Sequence, residues 1–331
     1  MSSDSRALRR ELRGAGLTTG AIDAVWPEWW SAAAEGSPSA AAELRYTVAR
    51  RLGVSPRSLF DGPPRFVWRD RAKYKNLGDV SADEVGILSS FGVAVGTALI
   101  PAAPRSVPLP ASAAELRQAV LAKSQVVNYI DLLAFAWGVG VPVIQLRLFP
   151  LKRKRMHAMT IQAGERYAVL LGRETRFPAQ AAFMIAHEIG HMVLHHLSGL
   201  AALLDVEDPL RVSSTDEEEN SADKFALELL TGDPDPQVVS NLGTFNANEL
   251  SHAAIDAAAE WRVDPGVLAL CLAHSTGHWR QGFAALRMMP PGEVNVGDHV
   301  NGIALSQLDF STTPLDSRDY LARVMGVDLA S

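Results

Sequence analysis

Between residues 5 and 62, apolar residues recur every three to four positions in "SRALRRELRGAGL" and again in "AAAELRYTVARRLGVSPRSLF". The tryptophan-rich turn "WPEWWS" separates them, so the pattern predicts short helices. Residues 85–100, "VGILSSFGVAVGTALI", are apolar on every side but contain Ser89, Ser90 and three glycines and stop at Pro101. A membrane span needs about 20 strongly apolar residues, so a packed core helix is the expectation. From residue 112 to 140, Leu116, Val120, Leu121, Val127, Leu132 and Leu133 fall at roughly helical spacing, and Gly138 and Gly140 end the run. One amphipathic helix is expected there.

The period then shortens to that of strands. "VPVIQLRLF" reads as one strand, and "MHAMTIQ" and "YAVLLG" read as two more joined by the turn "AGER". A histidine-bearing helix follows over residues 181–197, and "VNVGDHVNGIALSQLDF" near the end suggests two short strands. The expected fold class is therefore α+β: mostly helical, with a small sheet packed on the histidine helix. The proline-rich stretch 101–112 is the clearest boundary. It leaves a helical segment 1–62, a bridge 63–111, a main domain 112–285 and a C-terminal extension 286–331.

The N-terminal layout resembles helix-turn-helix repressor domains, through "LRRELRGAGLTT" and "ARRLGVSPRSLF". The middle is degenerate. Where a recognition helix offers Gln, Arg, Asn or Ser to base edges, this chain has "AIDAVWPEWW". A bundle that packs on the remainder or binds protein is the preferred expectation. The basic, aromatic stretch "PPRFVWRDRAKYKNLG" and the cations of "LKRKR" (151–155) are read as solvated faces.

Bulk composition narrows the classes. A chain 47% hydrophobic and 21% charged is that of a globular protein, and a net charge of −6 gives no general attraction for nucleic acid or an anionic membrane. Cys271 stands alone, so no internal disulfide can form, and it reads as a small buried hydrophobe. "MSSDSRALRRELR" carries charges where a signal peptide needs an apolar core, which makes a cytoplasmic location the expectation.

The chemistry lies in "AAFMIAHEIGHMVLHHL". His187, Glu188 and His191 spell H-E-x-x-H. Residues i and i+4 stand one above the other on a helix, so the two imidazoles can aim at one point. Glu188 then flanks the open side of that point, where it can take a proton from water. A third ligand is needed. His195 lies eight residues beyond His187, about 12 Å along the axis, too far for bonds of about 2 Å. The metzincin alternative needs a histidine at position 197, which is Leu197. His195 and His196 are therefore read as helix-end residues complementing the dipole.

A carboxylate from the helix of "SSTDEEENSADKFALELLTG" can complete the set. Ser214 with Glu217, and Thr215 with Glu218, have capping-box spacing. Ala222, Phe225, Ala226, Leu229 and Leu230 form its apolar face. Glu218 and Glu219 flank that face on opposite sides, about 50° from its centre. Glu219 ranks higher because Asp223 lies one turn further on the same flank, able to receive a histidine's second N–H. Glu218 stays as the alternative. Gly190 inside the histidine helix suggests close approach of a neighbouring strand.

These paired motifs, "AHEIGH" and "ENSADKFALELL", are similar to those of the ImmA/IrrE metallo-endopeptidase family, with Asp223 where the family usually has Asn. The likeness extends over about residues 115–285. It includes the small sheet and a closing helix-turn-helix-like piece at "AIDAAAEWRVDPGVLALCLAHSTGHW". By position it implies that His187, His191 and Glu219 are metal ligands, Glu188 is the general base and Asp223 supports a ligand. It implies a zinc (or manganese) endopeptidase whose partner is a helix-turn-helix repressor or antitoxin, acting in stress response and transcription regulation. The alternative is a transcriptional regulator or protein-binding module with a structural or vestigial metal site. For an oxyanion donor, His252, His274, His278 and Tyr167 are available and none is singled out.

Overall fold

Continuous burial along β3 (Ala158–Ala163) and β4 (Arg166–Leu171), broken only at the turn between them, sets the architecture. In the computed structural model, which describes residues 4–68, 72–75, 81–152, 156–205, 216–240, 244–311 and 313–328, these strands form an antiparallel hairpin. Its turn is closed by Gly164 at φ +64°. β5 (Ala202–Asp205) pairs antiparallel with the free side of β3, and β1 (Ala72–Lys75) pairs parallel with β5. β2 (Val143–Gln145) runs parallel to β4. The five-stranded order is β1-β5-β3-β4-β2, so β3 is central. The fold is α+β, as expected.

Both faces of this sheet are covered, each by its own core. Met159, Ile161, Ala168, Leu170, Ala202 and Leu204 point to one side. There they meet α1 (Asp4–Gly14), α2 (Thr19–Val25), α3 (Pro38–Leu52) and α5 (Ala82–Leu99), together with α14 (Leu315–Met325). A sheet buried on both faces has strands that read as continuous apolar runs, as "YAVLLG" does. α5 is long and apolar enough to cross a membrane, but 78% of its apolar window is buried inside this fold. Its glycines explain the fit. A Cβ at Gly92 would lie 2.2 Å from Met159 Sδ, and one at Gly96 would lie 3.0 Å from Ile161. Two glycines a turn apart thus let the helix rest on β3.

The two ends of the chain share that core. Arg51 of α3 is buried and donates to the Val25 carbonyl at 2.9 Å and to Asp316 of α14. Tyr320 donates to the Arg51 carbonyl at 2.7 Å. Arg323 reaches the Trp26 carbonyl at 2.9 Å. Trp26 is buried beneath the Arg9 guanidinium, whereas Trp29 is exposed. α4 (Ser58–Asp61) closes this N-terminal group.

The opposite face, carrying Val143, Ala158, Val169 and Leu171, packs on a second core. It is built from α6 (Ala113–Leu121), α7 (Tyr129–Gly138), α8 (Pro178–Val193), α9 (Glu217–Thr231), α10 (Ala247–Trp261), α11 (Pro265–Thr276), α12 (Trp279–Leu286) and α13 (Val296–Gln307).

Three expectations are corrected and two strands are added. The helix over 112–140 is two helices, because Asn128 and Asp131 form a capping box that starts a new one at Tyr129. Of "VPVIQLRLF" only Val143–Gln145 is strand; beyond it the Arg147 N–H leaves the sheet for the Val324 carbonyl at 2.9 Å. The C-terminal stretch expected to be two strands is helix α13. Asn295 caps it, and Val300 and Ala304, one turn apart, are buried in the second and the first core respectively. Buried Asn301 on the same helix holds β2 through the Gln145 N–H and carbonyl, at 2.8 and 2.9 Å, and accounts for a polar residue there. Finally, β1 and β5 were not expected, being four residues each with Lys or Asp included. Residues 69–71 and 76–78 of the basic stretch and 153–155 of "LKRKR" lie outside the described residues.

Candidate metal centre

α8 is buried on every side from Ala179 to Met192, wedged between the sheet and α7, α9 and α11. A helix apolar all round belongs in an interior. Its three polar residues with chemical capacity are accordingly conspicuous: His187, Glu188 and His191 are each at most 1% exposed. Buried titratable groups persist only where partners satisfy them. Here the partners come from α9 and β3.

Glu219 in the first turn of α9 faces both histidines. Its Oε2 is 3.3 Å from His187 Nε2, its Oε1 is 3.4 Å from His191 Nε2, and the two Nε2 atoms are 2.9 Å apart. Glu218, one residue earlier, is only half-buried and outside this group. The structure thus brings together His187, His191 and Glu219 and leaves Glu218 aside. α9 starts at Asp216, whose side chain accepts from the Glu218 N–H; the proposed caps Ser214 and Thr215 lie outside the described residues.

The second nitrogens of the imidazoles fix their tautomers. His187 Nδ1 is 2.8 Å from Asp223 Oδ1, so Nδ1–H donates to that carboxylate and Nε2 keeps its lone pair. His191 Nδ1 is 2.8 Å from His196 Nδ1, and His196 Nε2 is 3.3 Å from Ser221 Oγ. His196 is therefore no helix-end bystander, contrary to the reading from spacing. His195 is exposed and adopts φ +59°.

This donor set fits a divalent metal. Three atoms that can each present a lone pair converge on one point, the donor set a divalent cation takes. Donors about 2.0–2.1 Å from a tetrahedral ion lie roughly 3.3 Å from one another, close to the separations above. Glu188 sits beside this point. Thr160, from the middle of β3 on the face that meets α8, donates its hydroxyl to Glu188 Oε2.

Two further features fix the position of α9. Gly190 faces α9 and not a strand, correcting the expectation: a Cβ there would lie 3.2 Å from Phe225 and 3.3 Å from the Ala222 backbone. At the other end of α9, buried Arg117 donates to the Leu229 and Leu230 carbonyls at 3.1 and 2.8 Å and to the Arg262 carbonyl at 2.8 Å. Burial pulls the Arg117 pKa down, but a guanidinium stays charged and complements the helix C-terminus. With α9 anchored in this way, Gly190→Ala has no cheap relaxation. The gain of about 1 kcal/mol in helix propensity is outweighed by overpacking of about 1–3 kcal/mol. The expected outcome is a lower urea midpoint; a stabilised variant would contradict the tight α8–α9 contact.

A cavity of about 530 Å³ adjoins the centre, lined among others by Phe183, Asp223, Leu227, Val267, Cys271 and His274. The Phe183 ring lies 6.2 Å from that of His187. Burial pushes the Cys271 thiol up to about 12, so it stays neutral and is no nucleophile. Of the oxyanion candidates only His274 lines this cavity. His274 rests on Trp279 and His278 on Phe245, His252 is exposed, and Tyr167 is opposite Gln162 in the hairpin. Residues missed from sequence are Thr160, His196, Ser221 and Arg117. Only Thr160 carried a signal, as a polar residue on the buried face of a strand.

The buried H-E-x-x-H helix closed by a carboxylate from the next helix is an arrangement suited to hydrolysis. The chain is a peptidase: residues 166–278, about a third of its length, match the family model described as Peptidase U49. That span runs from β4 past α11 and contains His187, Glu188, His191, Glu219 and Asp223. No curated protein and no solved structure gives a significant match.

Proposed function

We propose that this peptidase is a zinc-dependent endopeptidase of the ImmA/IrrE type that cleaves a helix-turn-helix repressor or antitoxin and so relieves transcriptional repression. The observation that carries the reading is the convergence of His187, His191 and Glu219, with Asp223 on the His187 Nδ1. A zinc ion held by those three side chains would acidify a water toward neutral pH and polarise the substrate carbonyl. Two imidazoles and a carboxylate suit zinc and also accept manganese.

Glu188 then accepts the proton of the attacking water as it adds to the peptide carbonyl, and delivers it to the departing nitrogen. The Thr160 hydroxyl holds the carboxylate in place for both transfers. The cavity that begins at Phe183 and Asp223, with an apolar floor and Lys224, Asp235 and Gln237 in its wall, offers room for a side chain of the substrate. The choice of repressor or antitoxin as substrate is supported by the likeness of "AHEIGH" and "ENSADKFALELL" to that family. The test is to incubate the zinc-loaded protein with a panel of purified helix-turn-helix repressors and antitoxins and to identify fragments by mass spectrometry. Two fragments, lost with chelator and restored by zinc, are expected. Intact repressors under conditions where a mixed peptide library is cut would remove the substrate and leave the peptidase.

A further inference from the structure

We propose that His196 is a positioning residue for the metal centre, holding His191 in the tautomer and orientation that leave its Nε2 free to bind a metal ion. The inference rests on the reading of His187, His191 and Glu219 as a metal site. It begins with the way α8 ends. The His196 N–H donates to the His191 carbonyl at 3.0 Å and the His195 N–H to the Met192 carbonyl at 3.2 Å, with His195 in the left-handed region at φ +59°. These two bonds are those of a Schellman motif. Such a turn brings the residue after the left-handed one back over the third residue from the helix end. The usual partners there are apolar; here they are His196 and His191, with ring centroids 5.1 Å apart.

With the lone pair of His191 Nε2 turned toward the proposed metal point, the hydrogen bonds around this pair run in one direction. The Ser221 hydroxyl donates its proton to the Glu218 carbonyl at 2.9 Å, so toward His196 Nε2 at 3.3 Å it accepts. His196 therefore carries its proton on Nε2 and presents a lone pair at Nδ1. The His191 Nδ1, 2.8 Å away, must then be the donor, and its Nε2 is left bare toward Glu219 and His187. Asp223 performs the same task for His187. The two histidines thus have different supports, one carboxylate and one neutral imidazole. The second is anchored to α9 through Ser221, two residues from Glu219. His196 links the end of the H-E-x-x-H helix to the helix that supplies the third ligand.

Loss of such a support typically weakens metal binding about 10–100-fold. The experiment is a zinc titration of the full chain against a chromogenic chelator, with a thermal melt of each metal-free variant to separate folding from affinity. His196→Ala is expected to weaken zinc by about 10–100-fold, while His196→Asn, whose side-chain oxygen replaces the Nδ1 acceptor, stays within about threefold of wild type. His195→Asn, which tolerates the left-handed backbone, should not change the affinity. Wild-type affinity in His196→Ala, or an Asn variant as weak as the alanine variant, would overturn the proposal. Should His196→Ala fail to fold, Ser221→Ala decides: a loss of about 3–10-fold is expected, and none would count against the relay. A wild-type chain that binds no zinc would instead overturn the metal site beneath it.

Discussion

Glu188→Gln should leave the metal bound and reduce peptide cleavage by roughly 10²–10⁴-fold, the range for loss of a positioned general base. The amide is nearly isosteric and its oxygen can still accept from Thr160, so the packing of α8 on β3 is retained. What it lacks is the capacity to take a proton. KM should change little, because the carboxylate acts on the attacking water rather than on the bound peptide. The check is a paired measurement of zinc content and cleavage rate on a fluorogenic peptide. Wild-type cleavage by this variant would remove Glu188 from the chemistry, whereas loss of zinc along with activity would assign it a structural role.

Glu219→Ala should act at the other step. Its carboxylate is the only charged member of the set and lies within 3.4 Å of both imidazole nitrogens. Removing it deletes a ligand rather than a support, so zinc affinity should fall by more than the roughly 100-fold upper range for supporting residues. Stability is linked to the same loss. A ligand that binds only the folded chain raises stability by RT ln(1 + [L]/Kd), about 4 kcal/mol at 1,000-fold excess over Kd. Chelation should therefore lower the melting temperature of wild type and leave that of Glu219→Ala unchanged. Glu218→Ala should behave as wild type in both respects. Equal zinc retention in Glu219→Ala would send the third ligand elsewhere.

The candidate ligands were legible because they obey local rules. His187 and His191 are a turn apart on one helix, and Glu219 declared itself through Asp223 a turn later. The hairpin was legible in "AGER" for the same reason. The supports were not, since each depends on where the chain goes after a rule ends. A helical wheel carries His195 and His196 onward along α8, but the Schellman turn ends the helix and folds His196 back onto His191. Gly190 showed in advance that something must come close, and only the packing shows that it is Phe225 and Ala222 of α9. Thr160 and Glu188 are 28 residues apart and meet through the sheet. Errors in the fold share one origin. Asn128 interrupts an apolar periodicity by a local cap, and α13 contains enough β-branched residues to imitate strands.

The most direct test of the metal centre is anomalous X-ray diffraction at the zinc edge from crystals of the protein purified with zinc. A single peak about 2 Å from His187 Nε2, His191 Nε2 and a Glu219 carboxylate oxygen is the expected result. No peak at that point, or a bound zinc held by other residues, would contradict it.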